Sequence, residues 1–277
     1  MVRKSMFGGT FYPSKKEDIE KFISENINSA RIDKDRIRNA YSYVAPHAGY
    51  IYSGKTASHA YKAIAEKADI KKIETLIIIG PNHTGIGTPI SISNEDWETP
   101  LGIVKNDTLF SKAIKEESRI AEMDETAHEF EHSIEVQLPF LQYIGMGKKK
   151  FVFICMGDQD INSCTDLSTA ISKASKKLDK KSVVIASSDF NHFESAKIGK
   201  EKDMKLLKEL ETLEYERFNA LVGRINNTTC GYGPITVSTM FAKERGAKSS
   251  ILLDYSNSGD ITKDFSNVVD YVSLAFV

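Results

Sequence analysis

The sequence predicts an α/β protein with a mostly parallel central sheet flanked by helices. Three largely apolar stretches support this fold class, because each ends abruptly at a loop that contains a histidine. These stretches are Tyr41–Ala45, Thr75–Ile79 and Val183–Ser187. Uninterrupted apolar runs are typical of strands buried on both faces, as in parallel sheets that are covered by helices. Helical periodicity between the runs completes the alternating pattern of an α/β fold.

Local signals define the other elements of the N-terminal half. Ser14 and Glu17 form a capping-box pattern, which marks the start of a first helix. In chain order we predict a helix over Ser14–Ser29, a helix ending at Ala68, short strands over Pro89–Val104, a helix capped by Asn106 and ending at Ile114, and a loop entering a short helix over Ala127–Pro139.

The C-terminal half continues the alternation of strands and helices. We predict strands over Lys150–Met156, Ser250–Tyr255 and Val268–Val277, and helices over Asn162–Leu178, Ile198–Leu213, Glu214–Ile225 and Pro234–Arg245. No low-complexity linker separates two halves, so we expect residues 1–277 to form a single domain. A hydrophobic content of 41% is sufficient for a substantial core.

The composition excludes several classes of partner. With 37 basic and 38 acidic residues, the formal net charge of -1 favours neither nucleic acid nor an anionic membrane surface. No apolar run approaches the roughly 18 residues of a membrane span, and no apolar signal-peptide core follows Arg3. The 3 cysteines are too few, and odd in number, for a disulfide framework. We expect a soluble, cytoplasmic protein whose partner is an unidentified small molecule or peptide.

Candidate site residues follow the predicted strands. His47, His83 and His192 each lie directly after an apolar run, and Asp189 precedes the last of them. Ligands collect at the carboxyl ends of parallel strands, so we expect these side chains to meet there. Two neutral imidazoles and one anionic ligand leave open positions on a divalent ion, which suits iron in oxygen chemistry or zinc in hydrolysis. The anionic ligand could be Cys230 or Asp189.

Cys230 is the most informative cysteine, because it lies between glycines and a predicted helix start. The helix dipole there is expected to lower the pKa of the thiol. A thiolate favours soft or borderline metal ions over magnesium or calcium. The same residue could instead form a nucleophilic pair with a histidine, without a metal. Cys155 is predicted to lie in the core and Cys164 on a helix surface.

The string His128–His132 formally matches the H-E-x-x-H pattern of zinc metalloproteases. The preceding residues Asp124, Glu125 and Thr126 are polar, whereas the helix of such a protease carries an apolar face on both sides of the motif. We therefore interpret the match as a coincidence. His59 lies within a predicted helix and is assigned a structural role.

Five motifs occur in order along the chain and point to a known family. They are Val44–Tyr50, Gly80–His83, Glu131–Glu135, Ser187–His192 and Cys230-Gly231. Together they resemble the Memo family (mediator of cell motility), whose prokaryotic members include AmmeMemoRadiSam system protein B. The resemblance covers essentially the whole chain. It implies a fold similar to that of the LigB-type, class III extradiol dioxygenases, which hold a non-haem iron with two histidines and a glutamate.

The resemblance also implies roles for individual residues. His47 and His83 correspond to the paired histidine ligands, and Cys230 corresponds to the third position. Eukaryotic members of the family bind iron or copper, with copper-dependent redox activity, and bind a receptor phosphotyrosine segment.

Two hypotheses follow from these residues. The first is a metal-dependent oxidoreductase with iron, or alternatively copper or zinc, in which Asp189, His192 and His132 are the candidate catalytic residues. The second is a non-enzymatic binding module whose pocket recognises a peptide or a small anionic ligand without turnover.

Overall fold

A computed structural model describes all 277 residues and shows a twelve-stranded mixed sheet covered by helices. The strands are β1 (Val2–Arg3), β2 (Ser42–Ala45), β3 (Thr75–Pro81), β4 (Ile90–Ile92), β5 (Asp96–Thr99), β6 (Gly102–Asn106), β7 (Ala121–Met123), β8 (Lys150–Met156), β9 (Ser182–Ser187), β10 (His192–Glu194), β11 (Ser250–Asn257) and β12 (Val268–Phe276). The helices are α1 (Lys16–Ser29), α2 (Lys34–Ile37), α3 (Tyr50–Ala65), α4 (Thr108–Glu117), α5 (Thr126–Glu129), α6 (Leu138–Tyr143), α7 (Ile161–Leu178), α8 (Ala196–Glu211), α9 (Tyr215–Arg224), α10 (Tyr232–Glu244) and α11 (Gly259–Thr262), with 3-10 turns at Ile70–Lys72 and Glu135–Gln137.

The middle of the sheet consists of parallel strands in the spatial order β6, β8, β3, β9 and β2. Antiparallel strands extend it on both sides, since β5 pairs with β6, and β12 pairs with β2, β10 and β11. The predicted α/β class with a mostly parallel central sheet flanked by helices is therefore confirmed. No helix combines the length and the apolar character that crossing a membrane requires.

The central position of strand β3 explains why its sequence is apolar from Leu76 to Ile79. Leu76 and Ile78 pack into the hydrophobic cluster beneath α1 and α3, whereas Ile77 and Ile79 pack into the cluster beneath α7 and α10 on the opposite face. All four side chains are fully buried. A strand that is covered on both faces has no solvent-facing side and so shows no polar alternation.

The parallel register brings three loops to the same edge of the sheet. Ala45 at the end of β2 lies opposite Ser187 at the end of β9. Ile79, near the end of β3, lies opposite Ala186 of β9. The loops that follow β2, β3 and β9 therefore emerge side by side at the carboxyl edge of the sheet. They carry His47, His83 and Asp189, in that order.

Two predicted helix caps are wrong. Helix α1 begins at Lys16 and its N-cap, Lys15, makes no side-chain cap, so the predicted capping box at Ser14 does not form. Asp107, not Asn106, caps α4, and it does so by accepting a hydrogen bond from Phe110 N. The Asn106 side chain instead donates to the backbone carbonyl of Ser93 at 2.9 Å. Because the Asn106 side chain makes this tertiary hydrogen bond, it does not cap the helix.

The predicted surface position of Cys164 is also wrong. Cys164 is fully buried in the cluster between α7 and the sheet, where Val237 and Phe241 of α10 also pack. Its position near the start of an amphipathic helix gave no indication that α10 covers this part of α7. Cys155 lies in the core, as predicted.

The central strand should dominate the stability of the fold. We expect Ile78→Ala to lower the free energy of unfolding by about 2–5 kcal/mol, because it leaves a cavity in a fully buried position. The matched control is Ile103→Ala in β6, where the side chain is 45% exposed and a change below about 1 kcal/mol is expected. Urea unfolding measures both. Equal losses in the two variants would contradict this description of the core.

Candidate metal centre

Three side chains from three loops converge at the carboxyl edge of the sheet. Potential ligand atoms of His47, His83 and Cys230 all lie within 4.8 Å of one another. The sulfur of Cys230 is 3.2 Å from Nε2 of His47, and the rings of His47 and His83 are 5.1 Å apart and nearly perpendicular. His47 is buried, Cys230 is half-buried and the His83 side chain is 34% exposed. The cluster therefore opens to solvent at His83.

The His47 loop is held by Asp189. Its Oδ1 accepts hydrogen bonds from the backbone N–H groups of His47, at 2.8 Å, and Ala48, at 3.3 Å. Burial raises the pKa of Asp189, although the charge of His192 and these backbone donors act in the opposite direction. Asp189 is therefore committed to shaping the loop and does not belong to the group of converging ligand atoms.

The hydrogen bonds around Ser187 determine which nitrogen of His47 carries its proton. The amide nitrogen of Gln137 donates to the Pro46 carbonyl at 3.0 Å and to Ser187 Oγ at 2.7 Å. The Ser187 hydroxyl uses its single proton to donate to the Ser133 carbonyl at 2.6 Å. It can therefore only accept from Nδ1 of His47, which lies 2.9 Å away. His47 is thus protonated on Nδ1, and the lone pair of Nε2 points toward Cys230.

Glu131 fixes His83 in the same tautomer. Its carboxylate accepts from Nδ1 of His83 at 2.9 Å and from the backbone N–H of the same residue at 2.6 Å. Burial alone would raise the pKa of Glu131, but the hydrogen bond and charge of His83, with His132, lower it to about 2. An ionised carboxylate only accepts, so His83 carries its proton on Nδ1 and its Nε2 is left free. His83, Glu131 and His132 also form a second group of nearby ligand atoms, but the Glu131 oxygens are already occupied by N–H donors.

His132 forms the neighbouring wall of the pocket. Its ring stacks on that of His83, with centroids 4.7 Å apart, and lies 4.3 Å from the ring of Phe11 and 5.7 Å from that of Phe7. Burial and the nearby His47 lower the pKa of His132 to about 3. The imidazole is therefore neutral at physiological pH.

Glu135 anchors the N-terminal segment that supplies this aromatic wall. Its buried carboxylate accepts hydrogen bonds from Phe7 N at 2.9 Å and Tyr12 Oη at 2.7 Å, and pairs with Arg3 at 2.6 Å. Arg3 in turn donates to the Glu131 carbonyl at 3.0 Å. The N-terminus and the loop that carries Glu131 therefore support each other.

Arg3, Glu131 and Glu135 were not identified as site residues from the sequence. The two glutamates lie within one of the five family motifs, so the sequence did mark their segment. Arg3 lies in a two-residue strand, and no motif or pattern in the sequence marks it as a site residue.

His192 lies beside the cluster but outside it. It is the first residue of β10, and its backbone N–H donates to Thr228 Oγ1 at 2.7 Å. Its ring nitrogen Nδ1 is buried and has no hydrogen-bond partner. His128, by contrast, packs against Trp97 with ring centroids 5.6 Å apart, and α5 ends at Glu129. His128 and His132 therefore share no helix face, in agreement with the interpretation of the H-E-x-x-H match as a coincidence.

Cys230 is presented by a tightly packed loop. The Gln159 side chain donates to the Cys230 carbonyl at 2.9 Å and accepts from Gly233 N at 2.7 Å. A Cβ on Gly231 would lie 2.6 Å from the Ser187 carbonyl oxygen, so only glycine fits at this position.

The predicted lowering of the Cys230 pKa is wrong. Burial and the neighbouring Asp189 carboxylate raise the pKa of the thiol. Burial also holds the pKa of His47 well below its usual value, with the charge of His83 acting in the same direction. Both directions favour a proton on sulfur, donated to Nε2 of His47, over the thiolate–imidazolium pair of a nucleophilic cysteine in the metal-free site.

Known proteins are similar to this chain along nearly its whole length. The sequence profile of the family described as Memo-like protein matches residues 3–275. Proteins named MEMO1 family protein from Methanococcus vannielii and Methanosarcina barkeri are 41% and 38% identical to this chain, each match covering 99% of this chain and 99% of the relative. A MEMO1 family protein from Methanopyrus kandleri is 37% identical over 100% of this chain and 99% of its own.

A solved structure also resembles this fold. The crystal structure of an uncharacterized protein from Escherichia coli K12 matches with a TM-score of 0.53 and 9% sequence identity, over 86% of this chain and 100% of that chain. At this level of identity the likeness shows the fold alone.

The hydrogen bonds around Ser187 predict the tautomer of His47. In metal-free protein, nitrogen-15 NMR should show His47 and His83 protonated on Nδ1. The His47 signal should remain that of a neutral ring at pH 5, because burial lowers its pKa. Ser187→Ala removes the acceptor for Nδ1 of His47 and should shift His47, but not His83, toward the other tautomer. Protonation of His47 on Nε2 in the unsubstituted protein would contradict this assignment.

Proposed function

We propose that this chain, which belongs to the Memo family, binds a metal ion through His47, His83 and Cys230 and uses it in redox chemistry. Iron is the metal we propose first, with copper or zinc as alternatives. The observation that carries the proposal is the convergence of three potential ligand atoms within 4.8 Å at the solvent-accessible edge of the sheet.

The three side chains fit such an ion chemically. Nδ1 of His47 and Nδ1 of His83 are committed to Ser187 and Glu131, so each imidazole can offer only Nε2 as a ligand. Metal-binding histidines typically donate their other N–H to an oxygen acceptor in this way. Imidazoles with a thiolate suit iron, copper and zinc and discriminate against magnesium and calcium. Binding would displace the Cys230 proton, since the metal competes for the sulfur.

The chemistry depends on which ion is bound. Iron or copper would supply one-electron redox chemistry at this position, and zinc would supply Lewis-acid chemistry. Among the protein's own groups, we assign proton transfer to His192, because its Nδ1 has no hydrogen-bond partner within the protein. His132, with a pKa lowered to about 3, is a weak base and lines the pocket. Asp189 positions the His47 loop.

A non-enzymatic binding module is the second candidate. Large apolar side chains are exposed within four residues of each histidine around the pocket, and such exposure favours a binding surface for a peptide or other partly apolar ligand. These side chains are Ile51 (64% exposed), Ile86 (50%), Phe130 (55%) and Phe193 (74%). The two candidate functions differ in whether the histidines bind a metal.

Metal content separates the two candidates. Protein purified without added metal and without a metal-affinity tag should contain one equivalent of iron, copper or zinc by elemental analysis. His47→Ala should lose it, because the buried imidazole supplies a ligand. His59→Gln, which changes a histidine of α3 outside the cluster, is the matched control and should retain it. A protein without metal that still binds peptide would favour the second candidate.

Alkylation of Cys230 tests its role as a ligand. At about pH 9, where more of the raised-pKa thiol ionises, iodoacetamide should modify Cys230 at least about tenfold faster after chelation than in the metal-loaded protein, because the ion holds the thiolate. Cys155 and Cys164 are fully buried, and their labelling should not depend on metal. Cys230→Asp should retain a metal site and shift its preference toward harder ions. Equal rates of Cys230 alkylation with and without chelator would remove Cys230 from the ligand set.

A further inference from the structure

Two buried carboxyl groups contact each other away from the metal-binding cluster. Asp203, in the middle of α8, and Asp270, in β12, are both fully buried, and their side chains are within hydrogen-bonding reach of each other. A Cβ on Gly199 of α8 would lie 2.2 Å from Asp270 Oδ2, so the helix backbone covers this carboxyl group closely. Two ionised carboxylates in such a position would repel each other strongly.

The surrounding donors indicate where the proton lies. Asp203 Oδ1 accepts from Asn227 Nδ2 at 2.7 Å, and its Oδ2 accepts from Tyr255 Oη at 3.1 Å. The Asn227 amide cannot be reversed, because its oxygen accepts from the Thr229 backbone N–H at 2.8 Å and hydroxyl at 2.6 Å. Asp203 therefore accepts on both oxygens, as a carboxylate does. The Tyr255 hydroxyl also lies near Asp270, but it uses its single proton on Asp203, and no other donor reaches either oxygen of Asp270. Asp270 is therefore the protonated partner and donates to Asp203.

The electrostatics of the pocket agree with this distribution. Burial raises the pKa of Asp203 to about 6, and burial together with the charge of Asp203 raises the pKa of Asp270 to about 8. The negative charge of Asp260, from α11, also raises the pKa of Asp270. The nearby cations are engaged elsewhere, since Lys202 pairs with Glu194 of β10 and Lys200 lies over the Tyr255 ring.

The pair is connected to both loops that border the candidate metal centre. Asn227 is three residues before Cys230 and joins Asp203 to the turn at Thr229. On the other side, Asp270 N donates to the Asn191 carbonyl at 2.8 Å, and its carbonyl accepts from Phe190 N at 2.8 Å. The two carboxyl groups therefore lie between the loop of Cys230 and the loop that ends at His192.

We propose that Asp203 and Asp270 share one proton and that this pair, acting through Asn227, positions the loop that presents Cys230. The importance of this position for metal binding rests on the function proposed above, whereas the shared proton and the loop contact do not. Loss of the proton would leave two buried negative charges, with only Asn227 and Tyr255 donating to them. Repulsion between the two carboxylates would then act on Asp203, which holds Asn227 and through it the loop of Cys230.

The shared proton is tested by the pH dependence of stability. Unfolded carboxyl groups have a pKa of about 3.9, so between pH 6 and 7.5 the folded protein binds one proton more than the unfolded chain at this pair. This proton makes the folding equilibrium constant fall about tenfold per pH unit as pH rises. Asp270→Asn keeps a donor toward Asp203 but binds no proton. The ratio of its folding constant to that of the unsubstituted protein should therefore rise about tenfold per pH unit.

Urea unfolding at several pH values measures this ratio. The matched control is Asp18→Asn, at an exposed position of α1, and the corresponding ratio for this variant should not depend on pH in this range. A ratio for Asp270→Asn that is independent of pH would overturn the shared proton.

The positioning role is tested by Cys230 reactivity in metal-free protein. Asn227→Ser removes the donor to Asp203, because its shorter side chain cannot reach that carboxylate, while its hydroxyl can still accept from the Thr229 N–H. It should increase the rate of Cys230 alkylation about tenfold, as expected for the loss of one hydrogen bond to a charged group. Peptide mapping follows Cys230 alone, and unlabelled Cys155 and Cys164 verify that the core stays folded.

Asn227→Ala loses in addition the acceptor for the Thr229 N–H and hydroxyl, and should increase the rate of Cys230 alkylation at least as much. An unchanged rate of Cys230 alkylation in a folded variant would overturn the positioning role. Neither measurement requires a bound metal, so both are independent of the outcome of the metal analysis.

Discussion

The hydroxyl of Ser187 has one proton, and the direction in which it points determines the chemistry of the adjacent site. Because that proton is donated to the Ser133 carbonyl, the oxygen can only accept from His47. Gln137 keeps this arrangement in place by donating to the same oxygen. The consequence is an imidazole whose Nε2 lone pair faces Cys230, in the loop that directly follows strand β2. In the proposed metal site this nitrogen would already be oriented for an ion, which would reduce the reorganisation that binding costs.

The same arrangement separates two uses of a cysteine beside a histidine. A nucleophilic pair needs a thiolate stabilised by an imidazolium. Here burial raises the pKa of Cys230 and lowers that of His47, so the metal-free pair remains neutral. A metal ion can supply the positive charge that the imidazole does not. The environment that suppresses the nucleophile therefore suits a ligand, and this is why we favour metal binding over metal-free nucleophilic chemistry.

The sequence was sufficient to predict the fold and the strand-end positions of His47 and His83, because burial of β3 on both faces leaves a direct trace in its composition. It could not reveal Glu131 or Arg3, whose roles arise from contacts between distant segments; the hydrogen bond between Arg3 and the Glu131 carbonyl spans 128 residues of chain. The Cys230 pKa was predicted in the wrong direction for a related reason. A helix start is visible in sequence, whereas the burial that outweighs its dipole depends on tertiary packing. Asp203 and Asp270 give no sequence signal, since isolated aspartates are usually exposed.

X-ray absorption spectroscopy of the zinc-loaded protein tests the central claim most directly, because it reports the atoms bound to the ion whatever the activity is. With His47, His83 and Cys230 as ligands, the spectrum should contain one sulfur scatterer at about 2.3 Å together with nitrogen scatterers at about 2.0–2.1 Å. The sulfur contribution should disappear in Cys230→Ser. A spectrum of the unsubstituted protein with only nitrogen and oxygen scatterers would contradict the account.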